Sequence, residues 1–573
     1  MIRILLIGEA LRSRSFNGAN KALPVLASAL RNAGFRDVLQ LDLERGDVTI
    51  EDVCRAAVRS DLVAFAGCMS PQWPELDVSA ARVCDALLQA GREDVPVIVG
   101  GYAAKGVEDI ARASPWISAF FEGEGEDAMP RIAELVAAGR FPEGRAEVQG
   151  LCYVAPDGRF HRSTAPRVAN FDAIDQGLGF VHVPAVHDMD IFRAPDGRQL
   201  KSAQLFTQRG CPWRCGYCNK STEGGGVARL GEASLRDQLE SLRAQGFEAV
   251  YLDVDTFTVN RAAAEREARL LGESGLKWGS NTRIDMIDAG MMQHFVAHGC
   301  DYMFFGVEHI DPGVGLAIGK FNGSWSTQLR DAENYPSLVV RAFADMRAAR
   351  LPSSYFIILG LPKAVLDESG SRVVAYRPTD FEEDIAAIRF GIERCEPDYL
   401  NLNVLRFMPG SAAADAPHHP AYSCVRPSGA APITAGYFLP RVAEARGYTV
   451  PRNHPVYRLC ESVGLNQPTT TALDPERVHR TVETTMRMVN AHPRASGRPA
   501  MRLFIERDLF EAKLVGRDED DRYWMAPLRE WEGYEPGADH GSDRAAALAF
   551  ERLAHAGGRP AASPARTVDL AAL

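Results

Sequence analysis

The sequence predicts an α/β protein with two parallel sheets: an amino-terminal doubly wound sheet, then a partial (βα)6 barrel, then a mainly helical carboxyl-terminal region. Three observations lead there. Short apolar runs alternate with amphipathic stretches over the first 140 residues, the same rhythm resumes at Leu205, and a turn-rich segment separates the two. Strands alternating with helices form parallel sheets covered by those helices.

In the first region, candidate strands are residues 2–7, 38–41, 62–66, 95–99 and 117–121. Helices are expected at 21–33, closed by Gly34, and at 78–89. Open sheets of this kind bind ligands at the carboxyl ends of their strands, where glycine lets a ligand approach the backbone. Those ends read Gly67-Cys-Met-Ser-Pro71, Gly100-Gly-Tyr102 and Glu122-Gly-Glu-Gly-Glu126. No GxGxxG follows the first strand, which argues against a dinucleotide fold. Pro156-Asp-Gly158 and Pro195-Asp-Gly197 are turn signals and make residues 147–200 a hairpin-rich linker. In the second region a helix at 235–245 follows Ser234, carries Leu235, Leu239 and Leu242 on one face, and stops at Gly246. Strand 249–252, a helix from near Asn260, strand 276–280, helix 289–298 with Gly299 behind it, and strands 302–305, 355–359 and 399–404 complete six units. Catalytic groups are expected at the carboxyl ends of such strands.

A formal net charge of −11 argues against a general nucleic-acid binder. No apolar run approaches a membrane span, and residues 2–7 are too short for the core of a signal peptide. Eleven cysteines in a long chain without a secretion signal point to a reducing compartment, so a cytoplasmic location is expected.

Cys211, Cys215 and Cys218 lie in Arg209-Gly-Cys-Pro-Trp-Arg-Cys-Gly-Tyr-Cys-Asn219. Soft thiolates at these spacings suit three irons of one [4Fe–4S] cluster and leave the fourth iron without a protein ligand. Structural zinc would need a fourth ligand and usually two close cysteine pairs, and no second close pair exists. CxxxCxxC with an aromatic residue before the last cysteine resembles the radical S-adenosylmethionine (SAM) superfamily. The resemblance implies that the amino and carboxylate groups of SAM chelate the open iron. The Gly-Gly and Gly-Glu-Gly-Glu loops, with Leu23-Pro-Val-Leu-Ala-Ser-Ala-Leu-Arg-Asn-Ala-Gly34, resemble the Rossmann-like cobalamin-binding domain of many radical SAM enzymes. That implies Met69, Ser70, Gly100, Gly101, Glu122 and Gly123 as cobalamin contacts. No histidine precedes His161, so this domain has no imidazole for cobalt, and Met69 or a neighbour is expected beneath the metal. Cys54, Cys68 and Cys84 invite comparison with the second cluster of methylthiotransferases, but their spacing does not match.

The same resemblance gives the barrel's strand ends their tasks. In Asp253-Val-Asp-Thr-Phe257 a carboxylate would hold the SAM ammonium. The superfamily usually has two adjacent acids there, so Val254 leaves Asp253 and Asp255 both open. In Asn281-Thr-Arg283 the guanidinium would meet the SAM carboxylate. In Gly306-Val-Glu-His309, Glu308 would hold the ribose; Gly360 and Tyr217 would face the adenine. The likeness runs from residue 1 to the Arg406-Phe-Met-Pro-Gly410 segment. It divides the chain into a cobalamin domain (1–146), a linker (147–200), a radical SAM barrel (201–411), a substrate cap (412–535) and a disordered tail (536–573). Within the cap, residues 472–490 read as an amphipathic helix, Trp524 and Trp531 suggest packing, and the adjacent His418 and His419 cannot share a helix face. The implied activity is cobalamin-dependent radical SAM methylation of a carbon in a small-molecule intermediate, as in antibiotic biosynthesis. It would draw electrons from a flavodoxin or ferredoxin, in a monomer that engages neither nucleic acid nor membrane. A cyclase or rearrangement enzyme without methyl transfer, a methyltransferase that makes no deoxyadenosine, and a non-enzymatic cobalamin sensor are the alternatives.

Overall fold

The computed structural model describes residues 2–8, 22–43, 48–68, 73–101, 108, 111, 114, 116–163, 171–174, 188–218, 226–405, 411–413, 419–425, 475–492, 501–504, 515–517 and 522–525. The calls on Met69, Ser70, residues 406–410, His418, Trp531 and the tail fall outside them.

The amino-terminal sheet contains β1 (Ile4–Gly8), β2 (Val38–Asp42), β3 (Leu62–Cys68), β4 (Val97–Gly101), β5 (Ala119–Phe121), β6 (Leu151–Val154) and β7 (Phe160–His161). Its order is β2-β1-β3-β4-β5-β6-β7; the first five are parallel and the last two antiparallel. Alternation along β1 shows why it is doubly wound. Leu5 and Ile7 pack in one core with Val53 and Leu76, whereas Ile4 and Leu6 pack in the other with Leu23 and Ile132. The sheet therefore needs helices on both faces. They are Ala22–Asn32 and Ala128–Ala137 on one side, Ile50–Val58 and Trp73–Gln89 on the other. Connections leave β1 and β3 in opposite directions, which opens a crevice at their carboxyl ends, the usual ligand position in flavodoxin-order sheets.

The second sheet adds β8 (Asp188–Arg193), β9 (Gln199–Leu205), β12 (Ala249–Leu252), β13 (Lys277–Arg283), β14 (Cys300–Glu308), β15 (Ser353–Leu359), β18 (Tyr399–Val404) and β19 (Arg502–Phe504), in the order β19-β18-β15-β14-β13-β12-β9-β8. Seven neighbouring strands from β9 to β19 run parallel, and β8 closes one edge antiparallel. It curls into a half-barrel with helices outside. Trp278, Phe257 and Phe295, with ring centroids 5.4–5.5 Å apart, anchor that outer core.

Helix boundaries follow local chemistry. Asn260 caps Arg261–Ser274 by accepting from the Ala263 amide, and left-handed Gly275 ends it. Asp380 and Glu383 form a capping box on Phe381–Phe390. The helix Glu232–Ala244 corrects the expected start: Gly231 precedes it, and Ser234 lies in its first turn, donating to the carbonyl of Asp172.

Three features were not expected. The two hairpins of residues 147–200 are not a separate unit, since β6 and β7 extend the first sheet while β8 and β9 belong to the second. A 25-residue helix, Trp325–Ala349, contains Pro336, and Tyr335, Val339, Phe343 and Met346 form its buried stripe. A hairpin of β16 (Pro362–Leu366) and β17 (Val373–Pro378) follows the end of β15.

Candidate functional site at the strand ends of the half-barrel

The cysteine loop leaves β10 (Gln208–Arg209), which pairs with β11 (Ala228–Arg229). Gly210 turns the chain at φ +90°, and its amide donates to Asp255 Oδ2 at 3.1 Å. The Gly216 amide donates to the Ile318 carbonyl at 2.9 Å, and the Cys218 amide closes a turn on the Cys215 carbonyl at 3.0 Å. Bonds to the Asp255 carboxylate just past β12 and to Ile318 at the end of the short helix Pro312–Ala317 thus hold the loop that carries the three thiols. A side chain at Gly216 would meet the ring of Tyr422 at 2.6 Å, so glycine is required there.

Buried charge surrounds Cys215. Arg283 Nη1 donates to Cys215 Sγ at 3.5 Å. Its other donors reach Asp285 (Nε to Oδ1, 3.0 Å; Nη2 to Oδ2, 2.7 Å) and the Lys320 carbonyl at 2.7 Å, while its guanidinium lies 4.6 Å over the Trp213 ring. Burial opposes the charge on Arg283, but the Asp285 carboxylate holds its pKa above the ordinary value. Burial pushes the Cys215 thiol up, against the pull of Arg283 and Lys320. Lys320 is itself buried; its ammonium pairs with Glu308 and donates to the Gly306 carbonyl at 2.7 Å. Glu308 adopts the left-handed conformation at φ +61°, which is uncommon for a non-glycine residue. Burial, then the charge of Glu308, raises the Tyr217 phenol well above its usual range.

Cys211, Cys215, Cys218, Tyr217, Asp255, Arg283 and Glu308 therefore come together. Two differ from expectation in what they hold, since Arg283 is paired with Asp285 and Glu308 with Lys320. The Asn281 amide group donates to the Val254 carbonyl at 2.5 Å and accepts from Tyr251 at 3.3 Å, which ties β12 to β13. Just past β12, Val254 is buried in the outer core whereas Asp253 and Asp255 are half-buried, so an apolar residue anchors the turn between the two acids. Gly360 sits at φ +73°, and its amide donates to Asp384 Oδ2 at 3.3 Å. Sequence reasoning missed Asp384, which also accepts from Arg477 at 2.8 Å and lies 3.7 Å from His309 Nε2. It missed Asp285 as well; Asn-Thr-Arg-Ile-Asp was the available signal.

In the first sheet, Gly100 and Gly101 end β4, and a Cβ on Gly100 would make only ordinary contact, at 3.8 Å or beyond. The acidic loop behaves differently from expectation. Glu122 accepts from Arg162 at 3.3 Å, and Gly123 takes φ +127°. Glu124, at 3.4 Å, and Glu126 both pair with Arg209, the residue before the cysteine loop. Arg209 also lies over the rings of Phe171 and Phe206, at 4.9 and 5.0 Å. The acidic loop is thus a joint between the sheets. Cys54 and Cys84 are packed thiols, pushed by burial to about 11 and about 12, and bond to the carbonyls of Arg82 and Trp116.

Among the described residues, no three His, Cys, Asp or Glu side chains gather around one metal ion. Thiolates of a cluster each meet a different iron and need not converge on one point. The donor set fits such a group: three thiols on one braced loop, beside a guanidinium and an ammonium that favour negative charge.

Residues 205–368 match the family model of the radical SAM superfamily. The chain carries a radical SAM domain. Such domains hold a [4Fe–4S] cluster and SAM. Among curated proteins, the chain is 25% identical over 299 residues to the anaerobic magnesium-protoporphyrin IX monomethyl ester cyclase of Rubrivivax gelatinosus, covering 49% of this chain and 50% of that one. It is 26% identical over 315 residues to an uncharacterised methyltransferase of Pyrococcus horikoshii, covering 53% and 63%. The chain thus spans about half to three fifths of the length of these relatives. Among solved structures, it resembles the radical SAM methyltransferase TsrM of Kitasatospora setae, solved with tryptophan substrate and a SAM analogue (TM-score 0.58, 16% identity, 89% of this chain and 95% of that one). It also resembles the cobalamin-dependent radical SAM enzyme OxsB (TM-score 0.53, 14% identity, 85% and 66%). These likenesses show a shared fold: a radical SAM barrel behind an amino-terminal domain. No helix among the described residues is long and apolar enough to cross a membrane.

Proposed function

We propose that this chain is a cobalamin-dependent radical SAM methyltransferase that methylates a carbon of a small molecule. The joint between the two sheets carries the proposal: Arg209, next to the cysteine loop, is gripped by Glu124 and Glu126 of the first sheet's glycine-rich end. That contact ties the carboxyl end of the first sheet to the strand that leads into the cluster loop, an arrangement suited to one substrate meeting two cofactors. TsrM and OxsB, which share the fold, were solved with cobalamin.

In this reading Cys211, Cys215 and Cys218 hold the cluster, and the first sheet holds cobalamin at Gly100, Gly101 and the 67–71 loop. When bound, the cluster and SAM supply a radical able to take hydrogen from an unactivated carbon, and cobalamin supplies the methyl group. The protein's own part is electrostatic and steric. Asp255 fixes the loop through Gly210, and Arg283 offsets charge at Cys215. Asp253 or Asp255 holds the ammonium of SAM, and Gly360 leaves room for adenine. Residues 412–535 cap the pocket. A cytoplasmic monomer served by a flavodoxin- or ferredoxin-type donor, apart from nucleic acid and membrane, completes the proposal.

The cyclase relative favours one second reading, ring formation without methyl transfer. Product counting separates them. Anaerobically reconstituted protein, given SAM, cobalamin and a reductant, should make S-adenosylhomocysteine and methylcobalamin as well as 5′-deoxyadenosine. Deoxyadenosine without S-adenosylhomocysteine would favour the cyclase reading, the homocysteine product alone would favour a methyltransferase without radical chemistry, and neither product would leave a sensor.

A further inference from the structure

Tyr422 belongs to the short helix Pro420–Ser423, from the carboxyl-terminal third that matches no motif. Its side chain is fully enclosed, and its hydroxyl finds no hydrogen-bond partner among the described residues. A buried hydroxyl nearly always has a partner, so one without a partner marks a place where something else arrives.

Its position says what arrives. A methyl group on Gly216 would lie 2.8 Å from the Tyr422 oxygen, so the hydroxyl stands against the backbone of the glycine between Cys215 and Cys218. The peptide carbonyls around it each accept one bond and none receives the hydroxyl: the Gly216 carbonyl accepts from Ala413 at 2.8 Å, the Cys215 carbonyl from Cys218 at 3.0 Å, and the Ile318 carbonyl from Gly216 at 2.9 Å. Sulfur on either side of Gly216 is the acceptor that this loop adds. The ring packs with Val314 and Ile318 of the short helix Pro312–Ala317 and with Leu405 just past β18, so the hydroxyl cannot swing away.

We infer that Tyr422 tunes the cluster: its hydroxyl donates a hydrogen bond to the sulfur of the group held by Cys211, Cys215 and Cys218. The inference rests on the cluster reading above and adds a residue from outside the radical SAM domain. Hydrogen bonds to sulfur help set the reduction potential of iron–sulfur clusters. A donor favours the reduced, more negative form and raises the potential. The carboxyl-terminal segment thereby governs how readily an external donor reduces the site.

The test compares reconstituted wild type with Tyr422→Phe, which keeps the ring and removes only the oxygen. Iron content is measured first. Wild type without a cluster would defeat the cysteine assignment itself, which is a different failure. With equal iron loads, an electron paramagnetic resonance redox titration should give a more negative midpoint for Tyr422→Phe. Electron–nuclear double resonance should show the loss of one exchangeable proton coupled to the reduced cluster. An unchanged midpoint would overturn the inference, as would a shift that leaves every exchangeable coupling in place, since that would report packing alone. If Tyr422→Phe takes up no iron, 3-fluorotyrosine at position 422, a stronger donor of nearly the same shape, should raise the midpoint, and no change would again overturn the idea.

Discussion

The two sheets use charge in opposite ways at their carboxyl ends. In the half-barrel, Arg283, Asp285, Glu308 and Lys320 pair with one another beneath the cysteine loop, enclosed in one site. In the amino-terminal sheet, Glu124 and Glu126 reach outward to Arg209 beside the cysteine loop, while Glu122 pairs with Arg162 just past β7 of its own sheet. The first sheet meets its neighbour through its acids and keeps glycines at its crevice, while the second concentrates charge where chemistry would occur. A charged side chain near a ligand site can thus serve assembly, the ligand, or the ordering of another side chain, and only its partner tells which.

The sharpest way to break this contrast is at the thiols. Replacing Cys211, Cys215 and Cys218 by alanine should abolish iron loading and SAM cleavage and leave cobalamin binding by the first sheet intact. Iron assay and the brown absorbance check the first part, and cobalamin retention on gel filtration checks the second. Cobalamin lost together with iron would mean that the sheets form one site.

The enclosed charges come next. Glu308→Ala strands the Lys320 ammonium in a buried setting and should lower barrel stability by about 3–5 kcal/mol, the scale for breaking one partner of a buried pair. Glu308→Ala together with Lys320→Met should recover much of that loss. Thermal denaturation followed by hydrogen exchange would place the effect in the barrel, and equal loosening of both sheets would remove the contrast.

At the joint the effect should be smaller. Arg209→Ala removes the guanidinium that Glu124 and Glu126 share and should weaken docking by about 1.5–3 kcal/mol, the scale of a hydrogen bond to a charged group. Calorimetry should then show two separate transitions where wild type shows one. An unaltered single transition would mean that other contacts join the sheets.

Acid should loosen the β16–β17 hairpin first. Hydrogen bonding from Arg377 holds the Glu383 carboxyl well below its ordinary 4.5, helped by Lys363. A carboxyl depressed in the folded state contributes stability above its unfolded value and loses it as pH falls through the lower one. Hydrogen exchange in the hairpin should therefore quicken below about pH 4.5, and the effect should be small because Glu383 is only partly buried and its main partner Arg377 is exposed. Exchange independent of pH over that range would show that Arg377 and Lys363 do not fasten the hairpin.

What could be read from the sequence followed from range. Most of the parallel strands, from Ile4–Gly8 to Tyr399–Val404, showed themselves as apolar runs because both faces of each parallel sheet are covered. The cysteines and the Asn281-Thr-Arg283 end were legible because their signal is local. Helix Trp325–Ala349 was hidden by Pro336, which reads as a breaker although Ser324 caps the start and a buried stripe holds the rest. Hairpin β16–β17 begins and ends in proline, at Pro362 and Pro378, and so did not read as strand. The partners of Glu308, Arg209 and Tyr422 lie 12, 83 and about 200 positions away, and no spacing rule connects such pairs. Gly216 was the one local sign that something presses on the cysteine loop.

Strand β19, three residues paired to Tyr399–Asn401, sets a schedule for synthesis. A ribosome adds about 5–20 residues per second, so the stretch of roughly a hundred residues before Arg502 leaves the free edge of β18 uncovered for about 5–20 s. By then the first sheet, complete at His161, has long been able to close. During that interval the nascent barrel shows an unpaired edge while its cysteine loop has already been made. That edge is therefore the part of the barrel exposed longest to pairing with other chains, and β19 is the strand that removes the hazard.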